Sequence, residues 1–451
     1  MSVSQILAIL IFALMFAAIA SNKIHRHTAA LGGAAVMIIV VFLGIMQEPG
    51  ELWEFLNVNQ LWQSHFWVPG TQAVEAPGFN WQTMVFVGTM MLTVGWLESV
   101  GLFRWMCLYT VRIVGCRPVP ILISFMVLSA FLSMFIGSIT VMLFLSMVTI
   151  ELGRLLKFNP VPIIIAEVFA ANTGGSATVS GDPPNIIVGT AFGYSFTDFL
   201  ANTGLIAWIA MVLAVLYFYF ISRGSLQQEE DPEELMKSCP LPSSAITNPR
   251  LFKMAVAVFL LIIVLLVTHG YTGLSVAFIG VISTVISLAI AGKGALKIIK
   301  NLDWRTLLFF AGLFICVGGL EVSGVLVKVS ELIADISSGN TGIAITLILW
   351  ISAIISAFVD NIPFAAAMVP VIGTLARTSG INLPAMAWSL ALGADIGGNA
   401  TPIGASANVV AVAISEKEGY PITWGTFIKY AAIPTILVIG LCHGLLFWRY
   451  V

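Results

Sequence analysis

Charge is what this sequence has little of. Only 9% of its 451 residues are Asp, Glu, Lys or Arg while 59% are hydrophobic; an ordinary soluble domain carries about 25% charged residues. The shortage excludes a soluble body with one anchor and leaves a polytopic membrane bundle, because long apolar runs recur along the whole length. An excess of positive charge is missing as well: a net charge of −2 and a pI near 6.2 give no footing for nucleic acid. The five cysteines, Cys107, Cys116, Cys239, Cys316 and Cys442, form no CxxC pair and are widely scattered. That spacing argues against a disulfide frame or a zinc site and reads as isolated small apolar residues. No Gly-rich phosphate loop is present, so drive from ATP would need a separate ATPase subunit. Residues 1–20 lack the basic start and cleavage site of a signal peptide and read as a first membrane helix.

Apolar segments fall at 3–20, 28–46, 81–100, 161–195, 199–222, 251–268, 274–291, 304–322, 383–416 and 424–448. Two more, 118–155 and 341–378, are too long for one span and too short for two with a loop. Each has a polar break near its middle, "IGSIT" at 136–140 and "VDNIP" at 359–363. They read as re-entrant hairpins.

The chain also aligns with itself at a shift of 223 residues. Trp81, Gly95, Glu98 and Gly101 fall on Trp304, Gly318, Glu321 and Gly324, and Phe135 falls on Phe358. "ANTGGSATVSGDPPN" at 171–185 falls on "ADIGGNATPIGASAN" at 394–408, with seven of fifteen positions identical. One offset aligning separate polar features over more than a hundred residues marks a duplication. The units are 1–222, with hairpin 118–155 and broken helix 161–195, and 251–451, with hairpin 341–378 and broken helix 383–416, joined by a linker at 223–250. Glu98 and Glu321, beside the amphipathic pieces that follow them, read as structural.

Five crossings per unit is an odd number, so the second unit is inverted relative to the first. If the linker is cytoplasmic, only Lys328, Arg377 and Arg449 of the 20 Lys and Arg lie outside, as the positive-inside rule asks. Both termini then face out, in a plasma (inner) membrane. The Trp-rich insertion at 47–79 reads as an aromatic cap on the outer surface.

The fold class expected is therefore all-α and polytopic, with about ten transmembrane helices and two re-entrant hairpins in two inverted repeats, each with a broken helix. Non-helical backbone at membrane depth is tolerated only where it lines a protein cavity. Gly174, Gly175 and Gly181, with Gly397, Gly398 and Gly404, supply unwound backbone there. Thr178, Asn185, Thr401 and Asn408 offer polar ligands beside it, and Asn399 and Ser406 lie in the same break. Asp182 precedes Pro183 and Pro184, where an N-cap belongs, so capping and ion binding are both open to it. The same two roles are open to Asp360 and Asn361 before Pro363.

Asp395 differs. It closes a half-helix, where the dipole opposes a carboxylate, and no Lys or Arg stands within the breaks to pair with it. A membrane acid of that kind is protonated, paired or holding a cation. Its repeat counterpart is neutral Asn172, so coupling chemistry is expected on the second unit.

With "ANTGGSATVSGDPPNIIVG", "AFVDNIPFAAAMVPVI" and "GADIGGNATPIGASANVV" the chain resembles the ion transporter superfamily, in the branch of arsenite pump membrane proteins, NhaD-type sodium/proton antiporters and the melanosomal P protein. The resemblance spans nearly all of the chain apart from 47–79. It implies an elevator moving within a homodimer. It also implies ion sites at Ser138, Thr140, Asn172, Thr178, Asp360, Asn361, Asp395, Thr401 and Asn408, with Na⁺ at Asp360, Asn361 and Asp395. Relatives of the P-protein kind often carry Asp-Asn at the first hairpin tip, where this chain has Gly137 and Ser138.

The expected activity is H⁺- or Na⁺-coupled exchange with no cofactor beyond the coupling ion, exporting a small inorganic ion by arsenite or antimonite efflux or by Na⁺/H⁺ antiport. Uptake of a citrate-like carboxylate is a further alternative, and an ion channel is a reading of another class. An intramembrane aspartyl protease is disfavoured by the lack of a GxGD signature.

Overall fold

The computed structural model describes residues 1–20, 24–46, 49–69, 78–224, 226 and 240–451. Among them, ten helices are long and apolar enough to cross a membrane, and Trp81–Ser99 with Leu102–Val114 forms a further pair bent by 57°. The protein is a multi-pass integral membrane protein. Half of the linker, Cys239 included, lies outside the described residues.

Both hairpins are present. Hairpin 1 is Pro118–Ile136 and Ser138–Leu155, turned by Gly137 at φ +79°, a conformation that favours glycine. Hairpin 2 is Thr341–Phe358 and Asn361–Ser379, turned at Val359 and Asp360 without a glycine. Broken helix 1 runs as Val161–Gly175 and resumes at Pro183–Phe192; broken helix 2 runs as Leu383–Gly397 and resumes at Ser406–Lys417. The amphipathic pieces are Leu102–Val114 and Val325–Ser337.

The first arm of each hairpin lies along the opening half of its own broken helix. This approach dictates one glycine in each unit. A Cβ on Gly174 would sit 2.3 Å from the carbonyl oxygen of Ala130, and one on Gly397 would sit 2.3 Å from Cα of Ala353. The resumed halves cross over: Ser406–Lys417 packs on the second arm of hairpin 1, and Pro183–Phe192 on the second arm of hairpin 2. The hairpins and broken helices thus interlock as one core. Beside it, Arg26–Met37 packs along Trp304–Val322, and Trp81–Ser99 along Val276–Ala291, forming a scaffold.

Counting crossings sets two ends: a linker side, which also holds residues 24–26, and a terminus side, which holds 49–69 and 78–80. On the terminus side the insertion folds into short helices, Pro49–Leu56 and Ser64–Trp67 among them. Trp53 and Trp62 are exposed, whereas the Phe55 ring fills the space over Gly318, where a Cβ would lie 2.2 Å from it.

The cysteine expectation needs one correction. Cys116 is disulfide-bonded, whereas Cys107, Cys316 and Cys442 are free and buried. Cys116 follows Gly115 in a left-handed turn at the end of Leu102–Val114 and is as fully buried as the other three, so the turn and not exposure sets it apart. Sequence spacing does not report that separation.

Candidate functional site

The tips of the hairpins and the gaps in the broken helices meet in the middle of the core, where two kinds of polar contact can be separated. The first kind holds backbone. Asn185 donates its Nδ2 to the carbonyls of Gly175 (2.9 Å) and Thr178 (3.1 Å). Asn408 does the same for Gly398 (2.8 Å) and Thr401 (2.7 Å). Thr178 donates its hydroxyl to the carbonyl of Met134 at 2.5 Å, and Thr401 donates to that of Ala357. Each pair obeys the 223-residue shift. These side chains satisfy carbonyls that unwinding leaves without partners.

The second kind of contact joins acids. Asp182, buried, accepts from Ser138 Oγ at 2.5 Å and from Asn361 Nδ2 at 2.8 Å. The same Asn361 nitrogen donates to Asp395 at 3.2 Å. Asp395 is 0% exposed and also meets the side chains of Asp182 and Asn185 directly. Two carboxylates in contact cannot both ionise unless a proton or cation lies between them.

The oxygens left over point the same way. Asn172 Oδ1, Asn185 Oδ1 and Asp395 Oδ2 are buried without a hydrogen-bond donor. The repeat explains two of them. Asn172 donates Nδ2 to Asn408 Oδ1 and to Asn399 Oδ1, both at 2.9 Å. At the mirrored position Asp395 meets Asn185, whose nitrogen is already committed to two carbonyls. Where one half sets amide against amide, the other sets a carboxylate against an amide, and a proton or a small cation can neutralise that carboxylate.

Asp360 is placed elsewhere. Its Oδ1 caps Ile362 N–H at 3.3 Å, and its Oδ2 accepts from Arg26 at 2.6 Å and from Ser406 at 2.6 Å. Arg26 also donates to Ser406 at 3.0 Å. A guanidinium therefore does reach the second hairpin tip, from the scaffold, although none stands in the breaks. Asp182 occupies an N-cap position without a side-chain capping bond. Thr140 is half-buried one turn from Gly137 and takes no part in this network. Asn399 donates weakly to Thr173 and to the carbonyl of Phe169. Asn361 thus turns its nitrogen toward the acids, and the amide beside Asp395 whose oxygen has no donor is Asn185.

Sequence reading missed two groups. Arg26 lies 334 residues from Asp360, and only the burial of an acid at a hairpin tip signals that a partner is needed. Glu167 sits in the apolar run "PIIIAEVFA", where a single acid amid isoleucines was the available signal.

A cavity of about 510 Å³ lies between scaffold and core on the terminus side, lined by Asn80, Thr190, Phe314, Glu321, Val369 and Arg377 among others. On the linker side the start of Arg26–Met37 is tied to the hairpin 2 tip by the Arg26–Asp360–Ser406 contact.

The chain is similar over nearly its full length to other membrane proteins. A 46 kDa membrane protein of Mycobacterium leprae is 30% identical over 99% of both chains. An uncharacterized transporter of Mycobacterium tuberculosis is 31% identical, also over 99% of both. The P protein of Sus scrofa is 28% identical over 83% of this chain and 53% of its own length. The crystal structure of the Alcanivorax borkumensis YdaH transporter superposes with a TM-score of 0.57 at 14% identity, over 99% of this chain and 98% of that one, which shows the transporter fold. The P-protein match bears out the superfamily resemblance, and a family model described as citrate transporter matches residues 16–393: the chain belongs to the CitMHS family of secondary transporters.

Proposed function

We propose that the chain is an H⁺- or Na⁺-coupled exchanger, in which the Asp182–Asn361–Asp395 cluster binds the coupling ion. The observation that carries this reading is the contact between the Asp182 and Asp395 carboxylates, with Asp395 Oδ2 and the Oδ1 of the neighbouring Asn185 both without a donor. Among the described residues the only salt bridge at the centre is Arg26 with Asp360. Asp182 and Asp395 are left to a proton or a cation. Proton binding neutralises one acid, and Na⁺ takes the same oxygens, so the two compete for one place. That competition is the chemistry of exchange.

Access alternates between the two sides. The cavity gives the terminus side a path between scaffold and core, while Arg26 holds the hairpin 2 tip on the linker side; reversal breaks that contact as the core moves within a homodimer in the plasma membrane. The cargo under this reading is a small inorganic ion, by Na⁺/H⁺ antiport or arsenite efflux. A second reading, coupled uptake of a citrate-like carboxylate, draws on the family's description and on the guanidinium of Arg26 beside the hairpin tip. Purified protein in vesicles, with a pH-sensitive dye inside, is challenged in turn with Na⁺, Li⁺, arsenite and citrate. Proton movement driven by Na⁺ or Li⁺ is the expected result. Movement with citrate alone would favour the second reading, and a flux of ions without counter-transport would make the protein a channel.

A further inference from the structure

Glu167 is used by none of the chemistry above. It is 0% exposed, in the opening half of broken helix 1, enclosed by both arms of hairpin 1. Thr149 donates its hydroxyl to Glu167 Oε1, and Ser129 donates to the Glu167 carbonyl at 2.8 Å. Glu167 Oε2 has no donor, and neither buried Ser146 Oγ nor buried Ser133 Oγ has a partner. Ser146 and Thr149 lie three residues apart on one helix and so share a face. Among the described residues Cys107, on Leu102–Val114, is the titratable group that faces Glu167 from outside the hairpin. Of the remaining charged groups on packed elements, Asp395 belongs to the centre, Glu151 pairs with Arg104, Arg154 pairs with Glu418, His443 contacts Thr346, and Glu416, Lys417, Lys429 and Arg449 are exposed.

The duplication shows that the fold does not require these polar groups. At the shift of 223, Ser146, Thr149 and Glu167 fall on Val369, Ile372 and Leu390, all buried. Three touching or adjoining positions that are apolar in one unit are polar in the other. A packing role would be met by Leu, as in the second unit. An ionised carboxylate with one donor and no cation is not met by anything at this site.

The mirror also supplies a route. Val369 lines the terminus-side cavity, with Ile372 and Leu390 behind it. In an inverted repeat the opposite access state places the first unit's counterparts in the mirrored surroundings. Ser146 then lines a cavity on the linker side, with Thr149 and Glu167 behind it. We propose that Glu167, with Thr149 and Ser146, is a second proton-binding site, loaded in the state described and opened to the linker side through Ser146 when access reverses. The proton forms an O–H bond at Oε2 and leaves as H⁺ through Ser146. A metal cation would need several more oxygens than these three side chains supply, whereas a proton needs one acceptor. The route rests on the alternating-access reading; occupancy of the site by a proton does not.

The test therefore has two arms on the full-length protein in lipid. Infrared pH titration of the wild type and of Glu167→Gln should show a protonated carboxyl C=O band at neutral pH that the variant lacks. Identical spectra at every pH would overturn the proposal. In vesicles challenged with Na⁺ or Li⁺, Glu167→Gln should keep ion movement but carry one proton fewer per cycle, and an unchanged ratio would overturn the proposed role in transport. If no tested ion moves protons in the wild type, the exchanger reading fails while the infrared band still decides the site. If Glu167→Gln does not fold, Ser146→Val with Thr149→Ile, which copies the second unit, must shift the pH midpoint of the band; no shift overturns the proposal.

Discussion

In the first unit Asn185 ties down the carbonyls of Gly175 and Thr178; in the second, Asn408 ties down those of Gly398 and Thr401. The acids do not follow that rule. The first unit keeps an acid where its broken helix resumes, Asp182, and a hydroxyl at its hairpin tip, Ser138. The second keeps the acid at the tip, Asp360, and the hydroxyl where the helix resumes, Ser406. It then adds Asp395 opposite Asn172. Backbone repair is a cost both units share, so both copies solve it alike. Under the proposed exchange, ion chemistry is needed once at a shared centre, which leaves the copies free to differ there.

The largest expected effect comes from erasing that divergence. Asp395→Asn gives both units an amide at the same place. It removes one of the two acids in contact, so Asp182 alone is left to a proton or a cation. A membrane carboxylate is worth about 2.5–3.5 kcal/mol of ion preference, so coupled exchange should fall about a hundredfold or more, read as dye response in vesicles. Adding Asn172→Asp should not restore it, because residue 172 faces the oxygens of Asn399 and Asn408, which already need its N–H groups. Retained H⁺ or Na⁺ dependence in Asp395→Asn would remove this acid from the coupling site.

The shared features give a control of similar size in stability. Gly174→Ala and Gly397→Ala each drive a methyl into hairpin backbone at 2.3 Å and should destabilise the core by about 3 kcal/mol each. Thermal unfolding in detergent should drop comparably for the two. A large drop for one alone would mean that the hairpins do not pack equivalently.

Glycine, asparagine and threonine spaced alike in two places made the repeat, the hairpins and the breaks legible, because backbone repair leaves the same residues wherever it occurs. Contacts between units left no such trace. Arg26 sits in a basic cluster that reads as a loop at the membrane edge, and Asp360 reads as a cap; their ion pair exists only because hairpin 2 crosses to the start of a scaffold helix. Glu167 was hidden by its neighbours, since one polar residue within an apolar half-helix does not alter the pattern that identifies the helix. The bond at Cys116 left no trace of this kind either, because spacing along the chain does not tell which buried cysteine is bonded.

The Arg26–Asp360 pair offers a smaller break. Gly137, the counterpart of Asp360, needs no partner, so the pair is private to the second unit. Arg26 is about one quarter exposed and Asp360 is buried, with side-chain exposures of 24% and 1%. The value of the pair therefore lies between a surface and a buried bridge, about 2 kcal/mol. Arg26→Gln should lower thermal stability by that amount, and Arg26→Gln with Asp360→Asn should recover most of it. It should also raise labelling of a cysteine placed at Ser406, because the tip is released toward the linker side. Unchanged labelling would show that the pair does not hold the tip.

The smallest effect separates the two hydroxyls. Ser138 gives one hydrogen bond to Asp182, a member of the proposed coupling cluster; Ser406 gives one to Asp360, which the proposal leaves outside it. Losing a donor to a carboxylate costs about 1–2 kcal/mol. In Ser138→Ala that loss falls on the ionised form of Asp182, so the site should hold protons more tightly, and Na⁺ should be needed at about five- to thirtyfold higher concentration for half-maximal exchange. In Ser406→Ala the loss falls on a pair still held by Arg26, and the Na⁺ requirement should stay where it is in the wild type. If both variants moved it equally, Asp360 would belong to the coupling site after all, and the division of the acids between the two units would have to be redrawn.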